Sequence, residues 1–98
     1  MFQPLFKSKP VILDLFCGAG GMSLGFQMAG YYTGLGVDKE ELFCQTYAHN
    51  FEGRCVQKEI ESIVDPQSFL QECGLTRVDV IIGGPPCQGF SRVGRGKL

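Results

Sequence analysis

A cysteine near the end of the chain stands on a stiff stretch of backbone, "GGPPCQGFS" (83–91). Pro85 and Pro86 fix their own φ angles and restrict the residue that precedes each of them, so Cys87 is held in place. The glycines of the same stretch let a bulky planar molecule approach closely. A thiol held in this way is a candidate nucleophile. A cysteine without such a frame is more often a buried packing residue.

A glycine-rich turn, "DLFCGAGG" (14–21), is the second feature with chemical meaning. Such a turn between a strand and a helix points backbone N–H groups at a ligand. Asp38 follows Gly18 by twenty residues, at the predicted end of the next strand, where a carboxylate can accept both ribose hydroxyls. The dinucleotide pattern GxGxxG or GxGxxA fails, because Ser23 occupies its sixth position. The turn therefore predicts an adenosine ligand with an amino-acid end, S-adenosylmethionine; helix packing and helix capping are the plain alternative.

A thiol beside a methyl donor favours one kind of reaction. Carbon 5 of cytosine is too weak a nucleophile to take a methyl group from a sulfonium unaided. Addition of a thiolate to carbon 6 gives an enamine with a nucleophilic carbon 5; methyl transfer, loss of the carbon-5 proton and departure of the thiol restore aromaticity. A base in duplex DNA must leave the stack to reach such a pocket.

Alternating strands and helices are predicted to position these residues. Short apolar runs rich in branched residues indicate strands, and longer mixed stretches indicate helices. The predicted strands are 11–16, 32–37, 54–57 and 78–82, and the predicted helices are 21–29, 39–50 and 65–73. Asp65-Pro66 is typical of a helix start, and Gly30 and Gly74 of helix ends.

This alternation predicts an α/β fold with a doubly wound, mostly parallel sheet covered on both faces. Ligands of such sheets bind beyond the carboxyl ends of the strands, where the strand order reverses. If the order begins 3-2-1-4, the glycine turn and Cys87 face one cleft.

Composition sets wider bounds. The chain has 98 residues, 44% of them hydrophobic, which favours one folded domain over disorder. Nine basic and ten acidic residues nearly cancel, so net charge indicates no partner. Arg92, Arg95 and Lys97 make the last residues basic, which fits contact with phosphates but is more often a solvated end.

Five cysteines without a CxxC pair, and no signal peptide, favour a reduced cytoplasmic compartment. One histidine and no ligand-like cysteine spacing argue against a metal site. No apolar run approaches the ~20 residues that cross a bilayer, so no membrane partner is expected.

Three segments together resemble the cytosine-5 DNA methyltransferase family. "DLFCGAGGMSLGF" is similar to the family's first motif, "VDKE" to its second and "GGPPCQGFS" to its catalytic loop, in the same order and at suitable spacing. The resemblance covers roughly residues 10–95. It implies a Rossmann-like S-adenosylmethionine-dependent methyltransferase fold. Residues 1–98 would form a partial catalytic, cofactor-binding domain with the first four strands and without the target-recognition domain.

The resemblance also implies roles for particular residues. Cys87 would be the nucleophile that bonds carbon 6, and no metal ion takes part. The implied cofactor-binding residues are Phe16, Gly18, Gly20, Gly21, Asp38, Glu59, Ile60 and Pro86. Among them Phe16 would lie near the adenine, Asp38 on the ribose, and Glu59-Ile60 at the adenine amino group. Lys39 departs from the family, in which many members place an aromatic residue there that stacks on adenine.

Further motifs are implied that do not occur in these 98 residues. The family continues with a Glu-Asn-Val motif whose glutamate acts at cytosine N3, an arginine-bearing motif, a target-recognition domain and a last helix that returns to the cofactor. The implied partners are double-stranded DNA with a flipped cytosine and a second chain that could supply those motifs. The expected location is the cytoplasm, or the nucleus in a eukaryote.

Three other hypotheses stay open on sequence. The related branch that methylates a cytosine in transfer RNA shares the cofactor motifs and the nucleophile. A non-enzymatic remnant would keep the cofactor pocket without turnover. An unrelated Rossmann oxidoreductase is disfavoured by Ser23 and leaves the segment Pro85–Cys87 unexplained.

Overall fold

A four-stranded parallel sheet forms the centre of residues 9–84, the part of the chain that the computed structural model describes. The strands are β1 (Val11–Leu15), β2 (Tyr32–Asp38), β3 (Arg54–Gln57) and β4 (Val80–Gly83); the helices are α1 (Gly21–Met28), α2 (Glu41–Asn50) and α3 (Pro66–Glu72), with a 3₁₀ helix at Ile60–Ser62. The predicted α/β class is confirmed. Element bounds differ from the prediction by no more than two residues, and the 3₁₀ helix was not predicted.

The strand order is β3-β2-β1-β4, the order under which the glycine turn and the segment after the fourth strand are expected to face one cleft. Asp14 pairs with Gly36 of β2, and Gly36 pairs with Cys55 of β3. On the other side of β1, Leu15 pairs with Gly83. Since all the strands are parallel, their carboxyl ends meet at one edge of the sheet. The glycine turn, Asp38 and the end of β4 are therefore neighbours at that edge.

The two faces of the sheet carry different cores, because successive residues of a strand point to opposite faces. Leu13 packs with Leu35, Val37 and Cys73 against α3 and the loop that follows it. The adjacent Asp14 instead faces α1, where its carboxylate accepts from Ser23, and Ser23 in turn contacts Tyr47 of α2. Helices thus cover both faces, as the doubly wound class requires.

The helix ends follow from their local sequence. Asp65 caps α3: its Oδ1 accepts from the Ser68 amide at 3.3 Å and its Oδ2 from the Ser68 hydroxyl at 2.9 Å, and Pro66 takes the first helical position. After α1 and α3, Gly30 (φ 100°) and Gly74 (φ 80°) adopt the left-handed conformation that terminates helices. The predictions for these three ends are confirmed.

The apolar residues that predict α1 and α2 are not the ones that the two helices bury. In α2, Cys44 and Tyr47 are buried, whereas Leu42 is 71% and Phe43 44% exposed. In α1, Ser23 is the buried residue. Only a narrow stripe of each helix is buried, and in α2 its two residues are one helical turn apart. Neighbouring apolar positions therefore stay at the surface. Within residues 9–84, no helix has the length and hydropathy of a membrane span.

Candidate cofactor cleft

A cleft of about 460 Å³ opens at the carboxyl edge of the sheet, a size typical of small-molecule sites. Its walls are built from the ends of β1, β2 and β4, the start of α2 and the segment after β3. The lining residues are Phe16, Gly18, Asp38, Lys39, Glu40, Phe43, Lys58, Glu59, Ile60, Glu61 and Gly84. Five of the predicted cofactor-binding residues, Phe16, Gly18, Asp38, Glu59 and Ile60, thus lie around one space.

The turn after β1 owes its shape to three left-handed residues. Phe16 has φ 57°, Gly18 φ 55° and Gly20 φ 105°. This conformation is ordinary for glycine but rare and strained for a bulky side chain such as phenylalanine, at a cost of about 1–2 kcal/mol. Strain of this kind persists where the surrounding structure enforces it, commonly at ligand sites. In this protein the strained residue, Phe16, is itself one of the lining residues of the cleft.

Asp38 ties the turn to the second strand. Its Oδ2 accepts a hydrogen bond from the Gly18 amide at 2.9 Å, and its Oδ1 accepts one from the Glu40 amide at 2.9 Å. Each carboxylate oxygen has two lone pairs, so one acceptor position on each oxygen is left over from these two bonds. Two hydroxyls of a ribose could use them. The bond to Glu40, the N-cap residue of α2, also supports part of the plain alternative, because Asp38 orders the entry to that helix.

Gly20 and Gly21, which also belong to the turn, are not among the lining residues of the cleft. A Cβ atom at Gly20 would stand 2.8 Å from Cζ of Phe51 and 3.1 Å from Cδ2 of Tyr47, so this glycine lets the turn pack on α2. Gly21 is the first residue of α1, and the N-cap residue Gly20 has no side chain that could cap the helix; within residues 9–84 no other side chain does so either. The first-turn amides of α1 are donors available to an anionic group.

A buried polar network that the sequence analysis missed supports the turn from below. The Ser23 hydroxyl donates to Asp14 Oδ2 at 2.6 Å, and the Tyr47 hydroxyl lies 2.8 Å from Ser23 Oγ. All three side chains are at most 1% exposed. Burial raises the pKa of Asp14, while the bond from Ser23 opposes that rise. The network joins β1, α1 and α2 beneath the glycine turn. Its only signals in the sequence were an aspartate inside an apolar strand, Asp14, and a serine inside an apolar helix, Ser23.

The described cysteines are packing residues. Cys17 Sγ lies 3.5 Å from Cys55 Sγ, in the space that Gly36 leaves open. The contact with Cys17 and burial raise the pKa of Cys55, and burial raises the pKa of Cys44 and of Cys73. These three thiols therefore stay protonated at neutral pH and are poor nucleophiles. Within residues 9–84, no group of histidine, cysteine or acidic side chains has the arrangement of a metal site.

Some predicted residues lie outside the described part of the chain. These are Pro86, Cys87 and the basic residues Arg92, Arg95 and Lys97. Gly84, the last described residue, lines the cleft and belongs to the same "GGPPCQGFS" segment as Cys87. Sequence reasoning assigned no role at the cleft to four further lining residues, Glu40, Phe43, Lys58 and Glu61. Phe43 was counted only as part of the apolar pattern of α2.

The structure thus combines a parallel α/β sheet with a glycine turn and an acidic strand end at one cleft, an arrangement typical of nucleotide-binding sites. The family model for C-5 cytosine-specific DNA methylases matches residues 11–97. The chain belongs to this family.

Relatives agree with this assignment. The type II methyltransferase M1.HphI of Haemophilus parahaemolyticus is 45% identical over 83 residues, which are 85% of this chain and 22% of that protein. The type II methyltransferase M.DdeI of Desulfomicrobium norvegicum is 46% identical over 83 residues, 85% of this chain and 20% of that protein. The chain therefore spans about a fifth of the length of these relatives.

A solved structure has the same fold. It is the crystal structure of an E. coli protein assigned as a DNA modification methyltransferase and encoded within a prophage. The match has a TM-score of 0.74 and 34% sequence identity, and it covers 84% of this chain and 24% of that one. The Rossmann-like methyltransferase fold predicted for this chain is confirmed.

Proposed function

We propose that this chain is the cofactor-binding and nucleophile-bearing part of a DNA cytosine-5 methyltransferase that uses S-adenosylmethionine. One observation carries the proposal: Asp38, the glycine turn and Gly84 line a single cleft. Cys87 follows Gly84 by three residues, and three extended residues span at most about 11 Å. Covalent connection alone therefore keeps the proposed nucleophile near this cleft.

The residues of the cleft fit the proposed cofactor. Asp38 has acceptor positions for the ribose hydroxyls, and Phe16 and Ile60 offer apolar surface to the adenine. Glu59, which lines the same cleft, is assigned to the adenine amino group, and the amides at the start of α1 are assigned to the amino-acid carboxylate. When bound, S-adenosylmethionine supplies an electrophilic methyl group.

The remaining chemistry is assigned to the protein's own residues. Pro85 and Pro86 hold Cys87, whose thiolate donates an electron pair to carbon 6 of the target cytosine. The same pair returns to sulfur when the proton leaves carbon 5 and the carbon–sulfur bond breaks. The family's acid at cytosine N3 belongs to the Glu-Asn-Val motif, which these 98 residues do not contain. Turnover therefore requires the region that supplies the later motifs, from the same polypeptide or a second chain. We call the two together the assembled enzyme.

The proposed substrate is double-stranded DNA with a flipped cytosine. The names of the relatives, type II and DNA modification methyltransferases, favour DNA over transfer RNA and favour a role in restriction-modification. These relatives come from bacteria, which supports the bacterial cytoplasm as the location and gives no support to a nuclear one.

The decisive experiment traps the thiol on its substrate. In the assembled enzyme, wild-type protein should form a covalent adduct with DNA that carries 5-fluorocytosine, because fluorine cannot leave as the proton does. Cys87→Ser should abolish the adduct. Denaturing gel electrophoresis and peptide mapping by mass spectrometry measure the adduct and its position.

A matched control uses a thiol away from the cleft. Cys73 is buried at the end of α3, and Cys73→Ser should still form the adduct. An adduct that survives Cys87→Ser but disappears on changing another cysteine would reassign the nucleophile. Complete absence of an adduct in the wild-type assembled enzyme would overturn the proposed function.

A further inference from the structure

One wall of the cleft contains an aromatic residue that is partly exposed. Phe43, on the first turn of α2, lines the cleft and is 44% exposed. It belongs to neither hydrophobic cluster of the described residues, although the next residue, Cys44, is buried. Phenylalanine is normally among the more buried residues, so an exposed ring in a concave site indicates a ligand more than a contribution to stability.

The position of Phe43 on α2 restricts which part of a ligand it can meet. Asp38 lies five residues earlier, and its carboxylate orders the entry to α2 through the Glu40 amide. Phe43 thus shares the cleft with the proposed ribose acceptor and with Ile60. The amides of α1, proposed for the amino-acid end, belong to another element, which follows the turn after β1. The ring is therefore placed for the nucleoside end of the ligand.

We propose that Phe43 binds the adenine of the cofactor, its ring forming one aromatic surface of the purine site. The proposal rests on the proposed function, since it assumes an S-adenosyl ligand in this cleft. Aromatic rings bind purines through the π-face as well as through apolar area. Lys39 and Lys58, which also line the cleft, supply cations and no ring.

Leu42 provides a control for the competing explanation, a surface for a protein partner. It neighbours Phe43 on α2 and is 71% exposed, but it is not among the lining residues of the cleft. A protein docking on this part of α2 would use both apolar side chains. A ligand in the cleft would use Phe43 alone.

The test is cofactor titration of the assembled enzyme by calorimetry. Phe43→Ala should weaken S-adenosylmethionine binding by about tenfold, the scale of one ring–base contact. Phe43→Tyr should restore most of the affinity, and Leu42→Ala should match the wild type. Adenosine, which lacks the amino-acid end, should lose affinity by the same factor in Phe43→Ala as S-adenosylmethionine does.

A fluorescence experiment tests the same inference in a second way, which does not depend on whether Phe43→Ala folds. The 98 residues contain no tryptophan, so Phe43→Trp adds a reporter to this part of the protein. Its emission, taken as the difference from wild type, should change when S-adenosylmethionine is added, and that of Leu42→Trp should not. Unchanged affinity in Phe43→Ala, while the wild type binds, would overturn this inference alone. Absence of binding by the wild type would overturn the proposed function with it.

Discussion

Asp38 is the residue on which the geometry of the cleft depends most. Its two oxygens accept from the Gly18 and Glu40 amides, so one side chain connects the turn after β1 with the start of α2. A carboxylate that only capped α2 would need no contact with the glycine turn. The two hydrogen bonds instead orient both oxygens of Asp38. Each oxygen keeps one free acceptor position, and the proposed contact with two ribose hydroxyls uses both positions.

Replacing Asp38 with alanine should therefore weaken S-adenosylmethionine binding by about 1–3 kcal/mol, the usual scale for hydrogen bonds to a charged group. Calorimetry on the assembled enzyme measures the effect. Glu41→Ala is the matched control: this acid lies three residues away, on the first turn of α2, and does not line the cleft. Equal affinity in Asp38→Ala and wild type would remove Asp38 from the ribose.

At the scale of single residues, sequence reasoning pointed to residues that belong to the recognisable motifs. Phe16, Asp38 and Ile60, which the resemblance to the family implies as cofactor-binding residues, line one cleft. Their contact with the cofactor stays a prediction. Sequence reasoning did not find Phe43 or Ser23, because their roles depend on which stripe of a helix meets the sheet. Helical spacing alone marked Phe43 as part of an apolar pattern, and only the packing of Cys44 and Tyr47 turns it towards the cleft.

At the scale of elements, the glycine turn and α2 are packed against each other with little free space. Gly20 has φ 105° and lies against the rings of Phe51 and Tyr47, which themselves pack with centroids 4.5 Å apart. Tyr47 is fully buried and cannot move without breaking its contact with Ser23. A side chain at position 20 therefore meets both an unfavourable backbone conformation and a rigid neighbour.

Gly20→Ala should lower the free energy of unfolding of the assembled enzyme by more than the ~1–2 kcal/mol of the left-handed conformation alone. Gly25→Ala, inside α1, is the matched control. A Cβ there meets nothing within 4 Å, so alanine should stabilise the helix by about 0.5–1 kcal/mol. Chemical denaturation measures both. If Gly20→Ala were as stable as Gly25→Ala, the close packing of turn and helix would be wrong.

The order of the elements was predictable because β1, β2 and β4 contain short apolar runs, and parallel strands must be joined by crossovers. Two features were not. The 3₁₀ helix at Ile60–Ser62 has no periodic signal over its three residues. The early end of β1 follows from the left-handed Phe16, a conformation that its residue type disfavours and that only the surrounding turn imposes.

At the scale of the whole molecule, the sheet of residues 9–84 has an open side. β4 pairs with β1 and, within the described residues, with no other strand. Ile81 of β4 is 63% exposed, while the adjacent Ile82 is buried. Parallel strands are normally covered on both faces and paired on both sides, and an exposed apolar edge promotes pairing with other chains. We expect the region that supplies the later motifs to pair with this edge or pack over it in the assembled enzyme.

The 98 residues expressed by themselves should therefore neither form a stable monomer nor methylate DNA. A net stability of only ~5–15 kcal/mol is small enough to be lost with the contacts that β4 would otherwise make, and the acid proposed for cytosine N3 belongs to a motif that these 98 residues do not contain. Analytical ultracentrifugation and thermal melting test the structural half of this prediction, and a methyl-transfer assay tests its chemical half. Adding the missing region should restore solubility and activity together. A monodisperse monomer with a cooperative melt would contradict the structural half, and methyl transfer by the isolated chain would contradict the chemical half.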